Sequence, residues 1–295
     1  MLKKDFNLFI LSIFIFCNFS YSQNVGILWR ITGNGLKDTS YLVGTNHQIS
    51  DTLKIPLIIK KTILKSSSFY WESEKELFST FKMMPMMFNP WFKSFESNID
   101  VAKIDILKRI CFDSLNMNRT EYSILTKFRP TILSQVIIDN SRKLLNKNSN
   151  VYKLDDSLRI YASRKHIPVR GLEKIKGLKK HFSLVTVQEE FDYFIGDFFS
   201  KNIKQIALNG GDLYLNGDSE LCGPMELMTP SQRTCFSAMC MDRNFEWIIK
   251  FEPIMKKKSL FIAVGMGHVL PVKYGLIDLL RAKGYNVECI LQDFK

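Results

Sequence analysis

The feature that most constrains the fold is an apolar, strand-like run that ends in Gly-x-x-His and occurs twice. The first copy is Tyr41–His47, with Gly44 at its turn, and the second is Phe261–His268, with Gly265. These two copies contain two of the four histidines in the chain. Ligand sites of open α/β sheets lie outside the carboxyl ends of strands. We therefore predict that the two strands are neighbours and that both histidines face one site.

Helical and strand-like patterns alternate along most of the chain, which is typical of crossover units in a parallel sheet. We predict an α/β fold with a mixed, largely parallel central sheet and flanking helices. The hairpin of Ile27–Thr32 and Ser40–Gly44 opens the sheet. The remaining strands are predicted at Ser67–Glu72, Ile167–Glu173, Phe261–Gly265 and Val287–Leu291.

A helical insertion is predicted at about residues 76–150, inside a single domain that spans residues 23–295. Its first part, Phe81–Phe88, is rich in Met and Phe. Such a cluster is most simply a flexible core filler or a lid that forms part of a pocket wall. A groove that binds a peptide or another ligand is the sharper alternative.

Residues 1–22 have the pattern of a secretory signal peptide. Lys3 and Lys4 precede a nine-residue apolar run, Leu8–Phe16, which is too short to span a bilayer as a stable helix. Small residues at Ser20 and Ser22 suit cleavage before Gln23. The alternatives are a membrane anchor or a lipoprotein signal at Cys17. We expect an exported protein, periplasmic or secreted, with no transmembrane segment after cleavage.

The chain is basic, with a net charge of +12 that falls to about +11 without residues 1–22. Its lysines are dispersed and no nucleic-acid motif accompanies them, so a solvated basic surface is favoured over nucleic-acid binding. Export would permit a disulfide between Cys222 and either Cys235 or Cys240. The spacing of these cysteines does not favour a zinc site.

Strand ends supply four candidate site residues: His47, Glu72, Glu173 and His268. Two imidazoles and a carboxylate suit a divalent cation such as Mn, Co, Zn or Fe, which would activate a water molecule. The alternatives without a chemical role are a histidine in a loop and a glutamate that caps a helix or pairs with an arginine. The other two histidines, His166 and His181, lie in helical patterns and are interpreted as surface residues.

Arg243 and Asn244 are two further candidate site residues, and they are neighbours in a helix predicted at Asp242–Lys256. Arg243 could orient a substrate or stabilise a developing anion, and Asn244 could donate to an oxyanion. Motifs of other chemistries are missing, since the chain has no Gly-x-Ser-x-Gly elbow, no phosphate-binding loop and no His-Glu-x-x-His helix.

The order of these blocks resembles the TraB/GumN family, which includes the TIKI-like metalloproteases. The resemblance covers about residues 25–291. It rests on Leu28-Trp29-Arg30 with the first Gly-x-x-His, Phe69–Glu72, Asp155 with Val169–Glu173, Arg243-Asn244, and Val264–His268 followed by Gly284–Val287. The chain departs from the family pattern after Glu173, where the usual Thr and Gln are missing, and Glu74 follows Glu72 closely.

The resemblance implies an α/β core related to the ChaN and erythromycin-esterase-like folds and a metal-dependent site. It implies metal binding by His47, Glu72 and His268, and catalysis by Glu72 and Arg243. Gly44, Gly265, Glu173 and Asn244 would support them. The TIKI-like members imply cleavage of a peptide or protein substrate, with Mn or Co as the metal.

Three functions follow as alternatives. The first is a metal-dependent hydrolase, most simply a peptidase, with Glu72 as metal ligand or general base. The second is a non-catalytic haem- or metal-binding protein, since two histidines and several methionines could hold iron. The third is a regulatory protein that keeps the fold without catalysis.

Overall fold

The computed structural model describes residues 26–46, 49–50, 55–74, 79–145, 151–152, 154–196, 228–270, 273–291 and 293. The signal-peptide prediction, His47, Cys222 and the predicted loop before residue 228 lie outside these residues. Where the structure describes helices, none is long and apolar enough to span a membrane.

A six-stranded sheet forms the centre of the molecule, in the order β6-β4-β7-β2-β1-β8. Its strands are β1 (Leu28–Gly33), β2 (Ser40–Thr45), β4 (Ser68–Ser73), β6 (Val169–Glu173), β7 (Leu260–Gly265) and β8 (Tyr285–Leu291); the short strands β3 (Ile49–Ser50) and β5 (Val151–Tyr152) pair separately. The four strands from β6 to β2 are parallel, and β1 and β8 are added antiparallel. The predicted mixed, largely parallel α/β fold is confirmed.

The two Gly-x-x-His strands are direct neighbours in this sheet. Strands β2 and β7 pair in parallel, with Tyr41 opposite Phe261 and Thr45 opposite Gly265. The predicted adjacency of the two strands is therefore confirmed, although His47 itself is not described. Both strands are almost wholly buried, which explains why they are continuous apolar runs instead of alternating ones.

Helices cover the sheet and form a second layer. They are α1 (Leu57–Lys65), α2 (Ser79–Met87), α3 (Val101–Arg109), α4 (Arg119–Leu125), α5 (Pro130–Leu145), α6 (Leu154–Arg164), α7 (Ile175–Ser183), α8 (Val187–Phe194), α9 (Pro230–Phe236), α10 (Asp242–Met255), α11 (Met266–Val269) and α12 (Leu276–Ala282). The described part of the predicted insertion, residues 79–145, consists mainly of helices joined by short irregular segments.

The molecule has one core around the sheet and a second among the helices. The sheet core contains Trp29, Phe69, Phe261 and Trp247. The second core joins the insertion to α8 through residues such as Phe95 and Phe191. An ion pair between Arg129 of the insertion and the buried Glu190 of α8 joins the same two parts of the chain. The insertion is therefore anchored to the chain that follows β6.

Cys235 is a buried free thiol, so the disulfide considered between it and Cys222 is not formed in this structure, and Cys240 is buried as well. Both lie in a small apolar cluster with Val185 and Phe236. Burial raises the pKa of Cys235, which keeps its thiol protonated.

Candidate functional site

Three neighbouring strands bring acidic or glycine residues to the same edge of the sheet. Glu72 lies near the end of β4, Glu173 ends β6 and Gly265 ends β7. The strands are parallel and in register, with Ser73 opposite Glu173. Their carboxyl ends therefore form one surface, as the sequence predicts, and α10 and α11 close over it.

Arg243 of α10 is the centre of this cluster. Its Nε donates to Glu173 Oε1 over 3.0 Å, and its Nη2 donates to both Glu173 and Glu72, to the latter over 3.0 Å. Its Nη1 donates to the carbonyl of Met239 over 2.9 Å and reaches Nε2 of His268 at 3.1 Å. All three nitrogens of the guanidinium are thus engaged inside the protein.

The charges of this cluster depend on one another. Burial would by itself lower the pKa of Arg243, but the carboxylates of Glu72 and Glu173 raise it above its ordinary value. Burial raises the pKa of Glu173, and Arg243 opposes that rise. Arg243 therefore stays charged and offsets much of the cost of burying two carboxylates.

His268 lies in α11, three residues beyond the end of β7, and it is buried. A guanidinium only donates hydrogen bonds, so Nε2 of His268 accepts from Arg243. The neutral ring then carries its proton on Nδ1, which donates to Asn244 Oδ1 over 2.8 Å. The ring also packs against Trp247, with 4.4 Å between ring centroids. The position and tautomer of His268 are thereby fixed.

Asn244 holds the loop that carries His268. Its Nδ2 donates to the carbonyl of His268 over 3.2 Å and to that of Tyr274 over 3.0 Å. Both amide hydrogens are used in this way, so the arrangement differs from the expected oxyanion donor. Asn244 is instead a positioning residue.

Glu72 and His268 converge on Gly265. The backbone N–H of Gly265 donates to Glu72 Oε1 over 2.7 Å. A Cβ atom placed on Gly265 would lie 3.1 Å from that oxygen and 3.8 Å from Cδ2 of His268. Glycine thus leaves room for the carboxylate and the imidazole on either side of the same point. The Glu72 side chain is 22% exposed, so solvent reaches this part of the cluster.

The carboxylate of Glu72 and the imidazole of His268 would need a third ligand to bind a metal ion beside Gly265. The described residues include no group of three or more His, Cys, Asp or Glu side chains that could hold one. His47 follows Thr45 by two residues, and Thr45 lies opposite Gly265. Glu72 and His268 are of donor types that suit a divalent cation, and the third ligand that the sequence predicts, His47, lies outside the described residues. A metal bound to Nε2 of His268 would replace its hydrogen bond from Arg243.

Two contributors to the site were not predicted. His181 of α7 is fully buried, so its interpretation as a surface residue is wrong, whereas His166 is exposed as expected. Nε2 of His181 lies 3.3 Å from Glu246, while its buried Nδ1 has no hydrogen-bond partner among the residues that the structure describes. It lies three residues after the partly buried Leu178, which itself follows the buried Ile175 by three, and successive steps of three residues indicate the inner side of the helix. Trp247, four residues after Arg243, places its ring 4.7 Å from the guanidinium carbon.

Part of the Met-rich segment lines a cavity at the surface. Met84 and Phe88 line a cavity of about 520 Å³ together with Trp91, Phe92 and neighbouring residues, none of which belongs to the Arg243 cluster. The segment is therefore a wall of a separate surface cavity.

One of three comparisons with known proteins found a match. No curated protein and no solved structure matches the chain. A family model does match, over residues 27–289, which include both Gly-x-x-His strands and every residue of the cluster. The chain therefore belongs to the TraB/PrgY/gumN family.

Proposed function

We propose that this protein is a metal-dependent hydrolase that acts on peptide bonds. The observation that carries the proposal is the convergence of Glu72, Arg243 and His268 at the carboxyl edge of parallel strands, beside the strand that leads to His47. A buried cluster of charged groups that is partly open to solvent is typical of a catalytic site.

In this proposal His47 and His268 hold a Mn, Co, Zn or Fe ion, and Glu72 is either a further ligand or the general base. The bound metal would polarise the scissile carbonyl and lower the pKa of a water molecule. The hydrogen bond between Asn244 and Nδ1 of His268 directs Nε2 towards Arg243 and the site. Such a partner on the far nitrogen is the usual way in which proteins orient a histidine ligand.

Glu72 is the candidate general base. Arg243 binds its Oε2 and the N–H of Gly265 binds its Oε1, so the carboxylate has a fixed orientation. Both contacts are to donors, which favours the ionised form that can accept a proton. Glu173 holds the guanidinium from the other side and acts through Arg243.

We also propose that residues 1–22 direct export and that residues 23–295 are the mature protein. N-terminal sequencing of protein from the producing cells should begin at Gln23. A start at Met1 would contradict this part of the proposal.

The test is hydrolysis of a peptide library by residues 23–295, incubated separately with each of the four metals, with products identified by mass spectrometry. We expect cleavage that Glu72→Gln reduces by roughly 10²–10⁴-fold, the usual contribution of a positioned general base. The matched control is Glu190→Gln, which neutralises a buried carboxylate that also binds an arginine, in the helical layer.

The control variant should keep its activity. No cleavage with any of the four metals, or equal cleavage by Glu72→Gln and the wild type, would refute the proposal. An absorption band in the visible range on addition of haem, without peptide cleavage, would favour the binding-protein alternative.

A further inference from the structure

Two consecutive aromatic residues are held out from the surface in a costly backbone conformation. Trp91 and Phe92, which with Pro90 form the segment that we name the aromatic tip, have φ angles of +60° and +53°. Bulky residues rarely adopt positive φ, and such strain persists only where the surrounding structure imposes it. Trp91 is nevertheless 87% exposed and Phe92 63% exposed, so packing among the described residues, such as the contact of Phe92 with Phe88 at 4.8 Å between ring centroids, covers only part of them.

The aromatic tip is fixed at its base. Asn89 is buried, and its Nδ2 donates to the carbonyls of Thr126 and Phe128 over 3.1 and 2.7 Å. The N–H of Phe92 donates to the carbonyl of Asn89 over 3.0 Å. Phe88, one residue earlier, stacks on Phe128 with 4.3 Å between ring centroids. The protein therefore presents the tip as a fixed projection.

Further apolar side chains lie around the tip. Met84 lines the same 520 Å³ cavity as Trp91 and Phe92, and it is 44% exposed. Ile124 is 52% exposed, and its carbonyl accepts from the N–H of Lys127, whose own carbonyl accepts from Asn89. The tip and Met84 together form what we name the tip surface, and Ile124 is a further exposed apolar residue in the segment that binds Asn89. An apolar surface of this kind on a folded protein marks an interaction site.

Lysines flank the tip surface. Lys93 follows the tip directly and Lys127 contacts its base, and both are exposed. Neither forms an ion pair within the part of the chain that the structure describes. The nearby Glu96 is bound by Lys108 over 3.2 Å. The tip surface therefore combines projecting aromatic rings with uncompensated positive charge, on a chain whose net charge is +12.

We propose that the tip surface docks on an anionic lipid bilayer, with Trp91 and Phe92 inserted at the level of the headgroups. Indole and phenyl rings are favoured at the membrane–water interface, and lysines beside them are attracted to anionic lipids. The exposed Lys93 and Lys127 complement anionic headgroups, and this charge complementarity favours a bilayer over an apolar peptide as the occupant. This proposal is independent of the hydrolase proposal, because it involves no residue of the Arg243 cluster.

The test is binding of the full mature chain to vesicles of phosphatidylcholine with or without phosphatidylglycerol, by co-sedimentation and tryptophan fluorescence. Trp29 and Trp247 are buried and Trp71 is half-buried, so the emission change reports chiefly on Trp91. We expect binding to the anionic vesicles, with a blue shift of the emission. Trp91→Ser should weaken binding at least tenfold, and Lys93→Gln about fivefold at low salt.

The matched control is Ile249→Ser, which removes a 72% exposed apolar side chain on α10. Its vesicle affinity should equal that of the wild type, and circular dichroism should show all variants folded. Absence of binding to anionic vesicles, or unchanged binding by Trp91→Ser, would overturn the proposal. Protection of Trp91 from acrylamide by library peptides but not by vesicles would also overturn it and assign the surface to a peptide.

Discussion

Replacing Arg243 by methionine should destabilise the protein strongly, because the guanidinium lies between the buried carboxylate of Glu173 and the partly exposed carboxylate of Glu72. The side chains of Arg243 and Glu173 are 7% and 6% exposed, so solvent cannot take over the role of the lost cation. Breaking a buried ion pair by removing one partner costs about 3–5 kcal/mol of unfolding free energy. Glu72 is more exposed and adds less to this loss.

The loss should depend on pH with a definite sign. Burial raises the pKa of Glu173 above its ordinary value of 4.5 even with Arg243 in place, and Arg243 limits that rise. Without Arg243 the folded-state pKa rises further. A folded protein that binds a proton more tightly than the unfolded chain loses stability as pH increases through that interval. Arg243→Met should therefore be less destabilised at pH 5 than at pH 8.

Urea unfolding followed by tryptophan fluorescence at the two pH values measures this effect. The double variant Arg243→Met/Glu173→Gln should recover part of the loss at pH 8, since it leaves no buried charge at Glu173. Arg30→Met, which removes an exposed ion pair with Glu288, should change stability little. A loss below about 1 kcal/mol that is independent of pH, or a double variant no more stable than the single one, would refute the reasoning.

Three further predictions concern close packing, positioning and thiol burial. Gly171→Ala would place a Cβ 2.1 Å from the backbone nitrogen of Glu74, so we expect a loss of about 1–3 kcal/mol in urea unfolding; wild-type stability would contradict this. Asn244→Ala should lower metal affinity roughly 10–100-fold in equilibrium dialysis while the protein stays folded, because His268 loses its orienting partner; unchanged affinity would exclude that role. Burial raises the pKa of Cys111 to about 12, so a thiol reagent at pH 8 should modify it only after unfolding, and fast labelling of the native protein would contradict the buried position.

The sheet could be predicted from the sequence because its strands carry strong local signals. The parallel strands are continuous apolar runs, and the helices between them impose a parallel arrangement. The adjacency of β2 and β7 was inferred from the repeated motif alone and is confirmed by the register of Thr45 and Gly265. Helix ends such as Gly284, with φ of +85°, also follow from single residues.

The residues of the site could be predicted from the sequence, but the hydrogen bonds and ion pairs that join them could not. The sequence indicates Glu72, Glu173, Arg243 and His268 as candidates, and the structure brings them together. It does not indicate that Arg243 binds two carboxylates of its own chain, because such pairings join residues up to 171 positions apart. The burial of His181 was missed because a polar residue on a helix is ordinarily exposed.

The aromatic tip was not predicted either. Nothing in the segment Pro90-Trp91-Phe92 distinguishes a buried aromatic pair from an exposed one, since the apolar content is the same in both cases. The exposure of these residues results from positive φ angles and from the bonds of Asn89 to Thr126 and Phe128, which are long-range contacts.

The metal content of the purified mature protein tests the central claim most directly. Elemental mass spectrometry should be applied to the wild type, to His47→Ala and His268→Ala, and to His166→Ala as an exposed control histidine. The account predicts about one divalent ion per chain in the wild type and in the control, and none in the other two variants. A wild type that stays metal-free after loading, or a His268→Ala variant that keeps its metal, would contradict it.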